Sequence, residues 1–149
     1  MRFIPYGHQS IDDEDIQGVV EVLKSDWLTT GPTVDRFERD LASYVGSRHA
    51  VAVNSGTSAL DIAVRALDLP KGSEVITTPF TFAATSNAIL YNDHVPVFAD
   101  IDPVTRNIHP DEIRRRVTPK TRAIIYVDYA GHPCAIDEIR EIAREHDLR

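Results

Sequence analysis

The sequence contains little cysteine and no long apolar segment. Cys134 is the one cysteine among 149 residues, so the chain cannot form an internal disulfide, which is typical of proteins in a reducing cytoplasm. No apolar run approaches the roughly 20 residues that a membrane-spanning helix needs. The opening segment, MRFIPYGHQSIDDED, lacks the apolar core of a signal peptide. We therefore expect a soluble cytoplasmic protein with no membrane partner.

Basic residues are outnumbered by acidic residues. The chain has 16 lysines and arginines against 23 aspartates and glutamates, which gives a formal net charge of −7. A general nucleic-acid binder needs a basic face that displaces counterions, so this balance argues against a nucleic-acid partner. Hydrophobic residues make up 42% and charged residues 26% of the chain, which argues against collagen-like, disordered and coiled-coil proteins. The length corresponds to one domain or to part of one.

The spacing of apolar residues predicts an α/β fold. Two amphipathic helices come first, one at 12–24 and one that begins at Thr33 and ends at Gly46. Short β-type runs then alternate with helices, which predicts a mostly parallel sheet that is buried on both faces. The predicted strands are 49–53, 74–78, 95–99 and 123–127, and the predicted helices are 57–68, 81–91, 110–117 and 136–146. The last helix ends where the alternation requires another strand, so we expect an incomplete sheet.

The segment VNSGTSAL (53–60) is the sharpest candidate binding site. A strand is predicted to end there, a glycine allows close approach of the backbone, and hydroxyl residues open a helix. Free N–H groups and the helix dipole at such a terminus can bind a phosphate. The alternative is that Ser55 or Thr57 only caps the helix. The chain has no GxGxxG and no GxxxxGK[ST] motif, which argues against a dinucleotide site and a Walker-type site.

Aromatic residues follow the second predicted strand, in the segment TTPFTFAATSN (77–87). Phe80 or Phe82 could stack on a planar ligand ring at this corner between strand and helix. Taken alone, however, burial of both side chains in the core is the favoured alternative.

A third candidate is the segment YVDYAGHP (126–133), which follows the fourth predicted strand. Asp128 leaves that strand at its carboxyl end, where open α/β sheets bind their ligands. Its carboxylate either orients a ligand hydroxyl or caps the loop, and the sequence favours neither role over the other. The six histidines and Cys134 lack the spacing of metal ligands, so no metal site is predicted.

Together these segments resemble a known family, the DegT/DnrJ/StrS sugar-nucleotide aminotransferases. The resemblance rests on VNSGTSAL, ITTPFTFAATSNAIL, VPVFADIDPVTRNI and PKTRAIIYVDYAGHP, and the opening IPYGHQSIDDEDIQGVVEVLKSDWLTTGP also fits. It implies the N-terminal part of the large domain of PLP-dependent transferases of fold type I, with pyridoxal 5′-phosphate as cofactor. The segment VDYAGHP is most similar to the branch that acts on UDP-4-keto-6-deoxy-N-acetylhexosamines.

The resemblance also implies roles for particular residues. The residues expected to contact the cofactor are Gly56, Thr57, Ser58, Phe82 and Asp128. Gly56 and Thr57 would hold the phosphate, and Phe82 would stack against the pyridine ring. Tyr6 and Thr29 would face the nucleotide sugar.

The same resemblance implies that two catalytic groups are missing from this sequence. The family needs a lysine that forms a Schiff base and a carboxylate that pairs with the pyridinium nitrogen. In the family both lie on later strands and loops, and the carboxylate would come just after Arg149. None of Lys24, Lys71 and Lys120 matches the family lysine. No catalytic residue is therefore predicted within this chain.

The implied function differs between a complete protein and the isolated chain. In a full-length enzyme, the chain would serve transamination of a 4-keto-6-deoxy sugar nucleotide, with glutamate as amino donor and within a homodimer. We expect residues 1–32 to form an N-terminal helix and connector, and residues 33–149 to form part of the large domain, with the small domain absent. The isolated chain is predicted to be inactive. The alternative is a non-catalytic truncated fragment or binding module that self-associates through an unpaired sheet edge.

Overall fold

The computed structural model describes residues 7–149. The chain forms two compact units, Met1–Ala52 and Val53–Arg149. In the described part, the first unit contains helices alone, whereas the second contains helices and a sheet. The longest helix between residues 7 and 149 has 14 residues, and no helix there has the length and apolar content required to cross a bilayer.

The first unit contains helices α1 (Asp13–Lys24) and α2 (Pro32–Val45). Asp12 and Asp15 form a capping box at the start of α1, because each carboxylate accepts a hydrogen bond from the other residue's N–H at 3.1 Å. Helix α2 begins with a proline, whose missing N–H would have no partner at that position. It ends at Gly46, whose φ of +70° closes the helix. Both predicted helices are confirmed.

Residues 49–53 do not form a strand, so that prediction is wrong. The alternation HAVAV satisfies the side-chain pattern, but a strand also needs a neighbour that completes its backbone hydrogen bonds. Val51 is instead 73% exposed, and the N–H of Ala52 donates to the Glu38 carboxylate at 2.7 Å. No strand in the described part of the chain pairs with this segment.

The second unit contains a three-stranded parallel sheet. Strand β1 (Glu74–Thr77) lies between β2 (Val95–Phe98) and β3 (Thr121–Ile125). Both pairings are parallel, and their register aligns the last residues of the three strands. The three strands predicted after residue 70 are therefore confirmed, with ends that differ by no more than two residues.

Four helices accompany the sheet in the second unit. They are α3 (Gly56–Ala66), α4 (Ala84–Tyr91), α5 (Pro110–Arg116) and α6 (Ile136–Glu145). Val75 of β1 packs against Ile89 of α4 in one core cluster. The next residue, Ile76, packs with Ile113 and Ile139 of α5 and α6 in another. Because successive strand residues point to opposite faces, these two clusters confirm that the sheet is buried on both faces.

Arg149 pairs with the outer edge of the sheet. Its N–H donates to the carbonyl of Arg122 at 2.9 Å, and its carbonyl accepts from the N–H of Ile124 at 2.9 Å. This is the hydrogen-bond pattern of a parallel neighbour. Arg149 follows helix α6 and pairs like a strand residue, as the alternation of helix and strand in the sequence predicts.

Candidate functional site

The parallel sheet brings two of the candidate segments to the same edge. All three strands end at this carboxyl edge, and the loops that follow β1 and β3 contain these segments. The hydroxyl of Thr77 donates to the carbonyl of Ile125 at 2.9 Å, which ties the ends of β1 and β3 together. Open α/β sheets bind their ligands at this edge.

The first turn of α3 forms an open helix N-terminus. Ser55 caps the helix, since its hydroxyl accepts from the N–H of Ser58 at 3.1 Å. The Ser58 hydroxyl donates to the side chain of Asn54 at 2.8 Å, which holds it within the turn. The N–H groups of Gly56 and Thr57 have no acceptor among the described residues, and the first turn contains no acidic residue. The positive end of the helix dipole is therefore available to an anion.

Two adjoining cavities meet at Phe82. Gly56 and Thr57 line a cavity of about 700 Å³ together with Phe82. A Cβ atom at Gly56 would meet no heavy atom within 4 Å, so protein atoms do not fill the space beside the turn. Phe82 also lines a cavity of about 450 Å³ with Phe80 and Tyr129. The cavity beside the open N-terminus of α3 and the aromatic cavity therefore share the Phe82 side chain as a common wall.

Phe80 and Phe82 are not core residues, so the alternative favoured from the sequence alone is wrong. Phe82 is 78% exposed, and Phe80 is half-buried. Helix α4 begins at Ala84, three residues later than predicted, so both aromatic residues lie in the loop after β1. There they are not packed between a helix and the sheet. The exposed ring of Phe82 is available to stack on a planar ligand.

Phe80 connects the two loops of the carboxyl edge. The centroids of the Phe80 and Tyr129 rings lie 4.7 Å apart. The guanidinium carbon of Arg106 lies 5.8 Å from the centroid of the Phe80 ring, a distance typical of cation–π contacts. The sequence predicts no role for Tyr129 or Arg106, because no local spacing indicates that these loops meet.

Asp128 stabilises the loop that follows β3. Its carboxylate accepts a hydrogen bond from the N–H of Cys134 at 2.8 Å, so the structure shows the loop-capping contact that the sequence left open. Cys134 is buried. Burial, and to a lesser extent the neighbouring Asp128 carboxylate, raises the pKa of the Cys134 thiol to about 11. The thiol is therefore protonated at neutral pH and is not an activated nucleophile.

The structure adds a buried residue, Asn107, that the sequence analysis did not identify. Asn107 is 4% exposed. Its Oδ1 atom accepts from the N–H of Tyr129 at 2.9 Å, and its Nδ2 atom donates to the carbonyl of His132 at 2.9 Å. These partners lie 22 and 25 positions later in the sequence. No local motif could have predicted such contacts.

The lysines of the second unit lie at the opposite edge of the sheet. Lys71 precedes β1 and Lys120 precedes β3, so both lie at the amino ends of parallel strands. The Lys71 ammonium lies 2.8 Å from the Asp93 carboxylate, and this hydrogen bond raises the pKa of Lys71. A lysine that forms a Schiff base needs a lowered pKa instead. The remaining lysine, Lys24, ends α1 in the first unit.

The predicted site residues are distributed over both units. Gly56, Thr57 and Phe82 line one cavity of the second unit, and Asp128 lies in the loop after β3. Thr29 is exposed in the connector between α1 and α2 of the first unit. The other residue predicted to face the sugar, Tyr6, lies outside the described residues. Between residues 7 and 149, no group of three or more His, Cys, Asp or Glu side chains could hold a metal ion.

The arrangement at Phe82 fits a planar ring that carries a phosphate. A phosphate matches the free N–H groups of Gly56 and Thr57 at the positive end of α3. A planar heteroaromatic ring matches the exposed face of Phe82. Pyridoxal phosphate combines both groups in one molecule, so the residues of the second unit fit this cofactor.

Comparison with known proteins gives one consistent family. The sequence model of the DegT/DnrJ/EryC1/StrS aminotransferase family matches residues 9–149. The spore coat polysaccharide biosynthesis protein SpsC of Bacillus subtilis is 47% identical over 147 residues, which cover 99% of this chain and 38% of SpsC. The family expected from the motifs is therefore confirmed.

Solved structures agree with this result. PseC of Helicobacter pylori, an aminotransferase involved in the biosynthesis of pseudoaminic acid, has a TM-score of 0.91 and 36% identity over 97% of this chain and 39% of its own. NtdA of Bacillus subtilis, solved with bound cofactor PMP, has a TM-score of 0.86 and 36% identity over 93% of this chain and 33% of its own. The chain thus spans less than two-fifths of these relatives and has the α/β fold of the corresponding part of PLP-dependent aminotransferases. It belongs to the DegT/DnrJ/EryC1/StrS aminotransferase family.

Proposed function

We propose that this chain is the cofactor-binding N-terminal portion of an enzyme that transfers an amino group to a 4-keto-6-deoxy sugar nucleotide. The observation that carries the proposal is the common wall at Phe82, which joins the open N-terminus of α3 to the aromatic cavity. Pyridoxal phosphate, when bound, supplies the electron sink that makes transfer of an amino group from a donor to a ketone possible.

The residues of the second unit would bind and orient this cofactor. The N–H groups of Gly56 and Thr57 would donate to the phosphate, where the dipole of α3 favours a negative charge. Ser58 would shape this turn through its hydrogen bond to Asn54. Phe82 would cover one face of the ring and exclude water from it. Asp128 would lie on the side of the loop after β3 that faces cofactor and substrate.

The names of the relatives support a sugar substrate. SpsC is named for spore coat polysaccharide biosynthesis, and PseC for the biosynthesis of pseudoaminic acid. Together with the segment VDYAGHP, they favour a UDP-4-keto-6-deoxy-N-acetylhexosamine as substrate and UDP-4-amino-4,6-dideoxy-N-acetyl-β-L-altrosamine as product. In this proposal glutamate donates the amino group, and Tyr6 and Thr29 face the nucleotide sugar.

The isolated chain is proposed to bind the cofactor without turnover. Both lysines of the second unit lie at the amino edge of the sheet, away from the carboxyl edge that holds the site. The complete enzyme would need a lysine from a further part of the protein, and would act in the cytoplasm as a homodimer. Within it, residues 1–32 would form the N-terminal helix and connector, and residues 33–149 part of the large domain.

Borohydride trapping tests this proposal. The chain is incubated with pyridoxal phosphate, and one half is reduced with borohydride and analysed by mass spectrometry while the other half is dialysed. We expect reversible binding and no single lysine modified in stoichiometric amount. Pyridoxal without its phosphate is the matched control and should bind more weakly, because it lacks the anion that the start of α3 would hold. Stoichiometric labelling of one lysine, or no binding at all, would contradict the proposal.

One observation favours the alternative of a non-catalytic assembly module. Helix α1 has no buried residue and exposes apolar side chains along its length, namely Ile16, Val19 and Leu23. Apolar surface of this kind promotes self-association. Gel filtration separates the two functions: a defined dimer that binds pyridoxal phosphate supports the enzyme portion, whereas mixed aggregates without cofactor binding support the truncated fragment.

A further inference from the structure

We propose that Asn107 is a positioning residue that sets the shape of the aromatic side of the cofactor cavity. The inference rests on the proposed function, because it concerns the loop 128–134 that borders this cavity. Asn107 is 4% exposed and does not line the aromatic cavity itself. It would therefore act through the residues that it holds in place, without touching the cofactor.

The amide of Asn107 bridges the two ends of one turn. The short 3₁₀ turn Tyr129–Gly131 follows Asp128. The Oδ1 atom of Asn107 accepts from the N–H at its start, and the Nδ2 atom donates to the carbonyl of His132 just after its end, each at 2.9 Å. Because both polar atoms belong to one planar amide, the contacts fix the separation of the two ends of the turn. A buried amide that lost these partners would be left unsatisfied.

The turn needs such support because its backbone is strained. Ala130 has a φ of +52° and ψ of 28°, and Gly131 has a φ of +78°. The left-handed region is accessible to glycine but unfavourable for alanine, whose Cβ approaches the following carbonyl. Hydrogen bonds from a buried side chain outside the turn offset this unfavourable conformation. Asn107 supplies two of them.

The conformation of the turn determines one wall of the aromatic cavity. Tyr129 and Ala130 line that cavity together with Phe80 and Phe82, and the Tyr129 ring packs against the Phe80 ring. Without the hydrogen bonds from Asn107, the turn would adopt the conformation that binds the cofactor in only a fraction of the molecules. The apparent affinity for the cofactor would then fall in proportion to that fraction.

Asn107 is itself held in a rigid frame. The N–H of Asp102 donates to the carbonyl of Asn107 at 2.9 Å. The residues next to this pair, Ile101 and Ile108, are joined by an antiparallel β-bridge. Ile108 is buried in the core cluster beneath the sheet. The amide is therefore anchored to the core and can impose its position on the loop after β3.

The test compares Asn107→Leu with a matched control, Thr121→Val. Asn107→Leu removes both hydrogen bonds with a small change of volume. Thr121 is also buried, at 1% exposure, and its hydroxyl accepts from the N–H of Thr118 at 2.9 Å. It lies at the amino end of β3, the edge opposite the site. Two quantities are measured: hydrogen exchange of the Tyr129 N–H without cofactor, and the dissociation constant for pyridoxal phosphate.

The two variants should separate positioning from general stability. Asn107→Leu is expected to accelerate exchange at Tyr129, and to raise the dissociation constant for pyridoxal phosphate, by about tenfold each. Thr121→Val should lower the thermal midpoint but change both quantities by less than about twofold. Unchanged exchange, or faster exchange with unchanged affinity, would overturn the inference. Equal effects of the two variants would also overturn it.

Asn107→Asp provides a second test if Asn107→Leu does not fold. The carboxylate keeps an acceptor for the N–H of Tyr129 but has no donor for the carbonyl of His132. We expect the dissociation constant of Asn107→Asp for pyridoxal phosphate to exceed that of the unsubstituted chain by up to about tenfold, and an unchanged affinity would overturn the inference. If the unsubstituted chain binds no pyridoxal phosphate, the proposed function fails. Exchange at Tyr129, measured without cofactor, then still decides whether Asn107 holds the loop.

Discussion

The rings of Phe80 and Tyr129 pack with their centroids 4.7 Å apart and their planes tilted by 48°. Phe80 lies in the loop after β1 and Tyr129 in the loop after β3, so this contact joins the two loops at the carboxyl edge of the sheet. Aromatic pairs of this geometry contribute about 0.5–1.5 kcal/mol beyond the burial of their surface. Because Asn107 holds the backbone of Tyr129, the wall of the candidate cofactor cavity depends on a residue outside it.

Replacing Phe82 with leucine should weaken cofactor binding without weakening the fold. The side chain is 78% exposed, so the free energy of unfolding should change by less than about 0.5 kcal/mol. Loss of ring stacking should raise the dissociation constant for pyridoxal phosphate by about three- to tenfold. Urea unfolding and equilibrium dialysis measure the two effects.

Tyr91→Leu is the matched control for this substitution. Tyr91 is an aromatic residue of the same unit, is 59% exposed, and lines neither cavity at Phe82. Its replacement should leave the dissociation constant unchanged. Equal weakening by both substitutions would contradict a specific role for Phe82.

Ser55→Ala should destabilise the start of α3. The Ser55 hydroxyl accepts from the N–H of Ser58 at 3.1 Å, and loss of such a cap costs about 1 kcal/mol. Urea unfolding measures this change. Ser43→Ala is the control, because Ser43 is exposed inside α2 and alanine is the better helix former there, by up to about 0.5 kcal/mol. Equal free energies of unfolding for Ser55→Ala and the unsubstituted chain would contradict the capping role.

The Cys134 thiol should react slowly with alkylating reagents. Burial and the Asp128 carboxylate raise its pKa to about 11, so at roughly pH 8 only about 0.1% is thiolate, against about a quarter of a free thiol. We expect iodoacetamide to modify the folded chain at least about a hundredfold more slowly than the chain unfolded in urea. Comparable rates in the two states would show that the thiol is neither buried nor of raised pKa.

The loop anchored by Asp102 should loosen in acid. The Asp102 carboxylate accepts from the N–H groups of Val104 and Thr105 at 2.9 and 2.7 Å, and the bond from Thr105 chiefly lowers the pKa of Asp102. Such a carboxyl stabilises the folded loop above its unfolded pKa, and this contribution is lost as pH falls through the lower folded value. The amide shift of Thr105 should therefore move below about pH 4. Asp102→Asn, which accepts the same bonds without titrating, should remove this movement, and an identical titration in the variant would refute the assignment.

Local sequence patterns predicted most of the helices and strands, because residues close together in the sequence largely determine these elements. The apolar spacing predicted α1 and α2, Gly46 predicted the end of α2, and short apolar runs predicted the three strands. The segment 49–53 has the same alternation, yet it has no strand beside it among the described residues. Sequence alternation reports which faces a strand would present but not whether a partner is there.

The candidate site was predictable where one motif supplies several groups in order. VNSGTSAL indicated the open turn at Gly56 and Thr57, because a glycine and hydroxyl residues at a helix start leave free N–H groups that can bind an anion. Asn107 was not predictable, since its partners lie 22 and 25 positions away. The exposure of Phe82 was missed for a related reason: it depends on where α4 begins, and no cap marks that start.

An NMR titration of the ¹⁵N-labelled chain with pyridoxal phosphate tests the phosphate site at the start of α3 most directly. We expect the largest amide shifts at Gly56 and Thr57 and smaller shifts around Phe82, and we expect pyridoxal without its phosphate to leave Gly56 and Thr57 unchanged. Shifts centred on Lys71 or Lys120, or no shifts at all, would contradict a phosphate site at the start of α3.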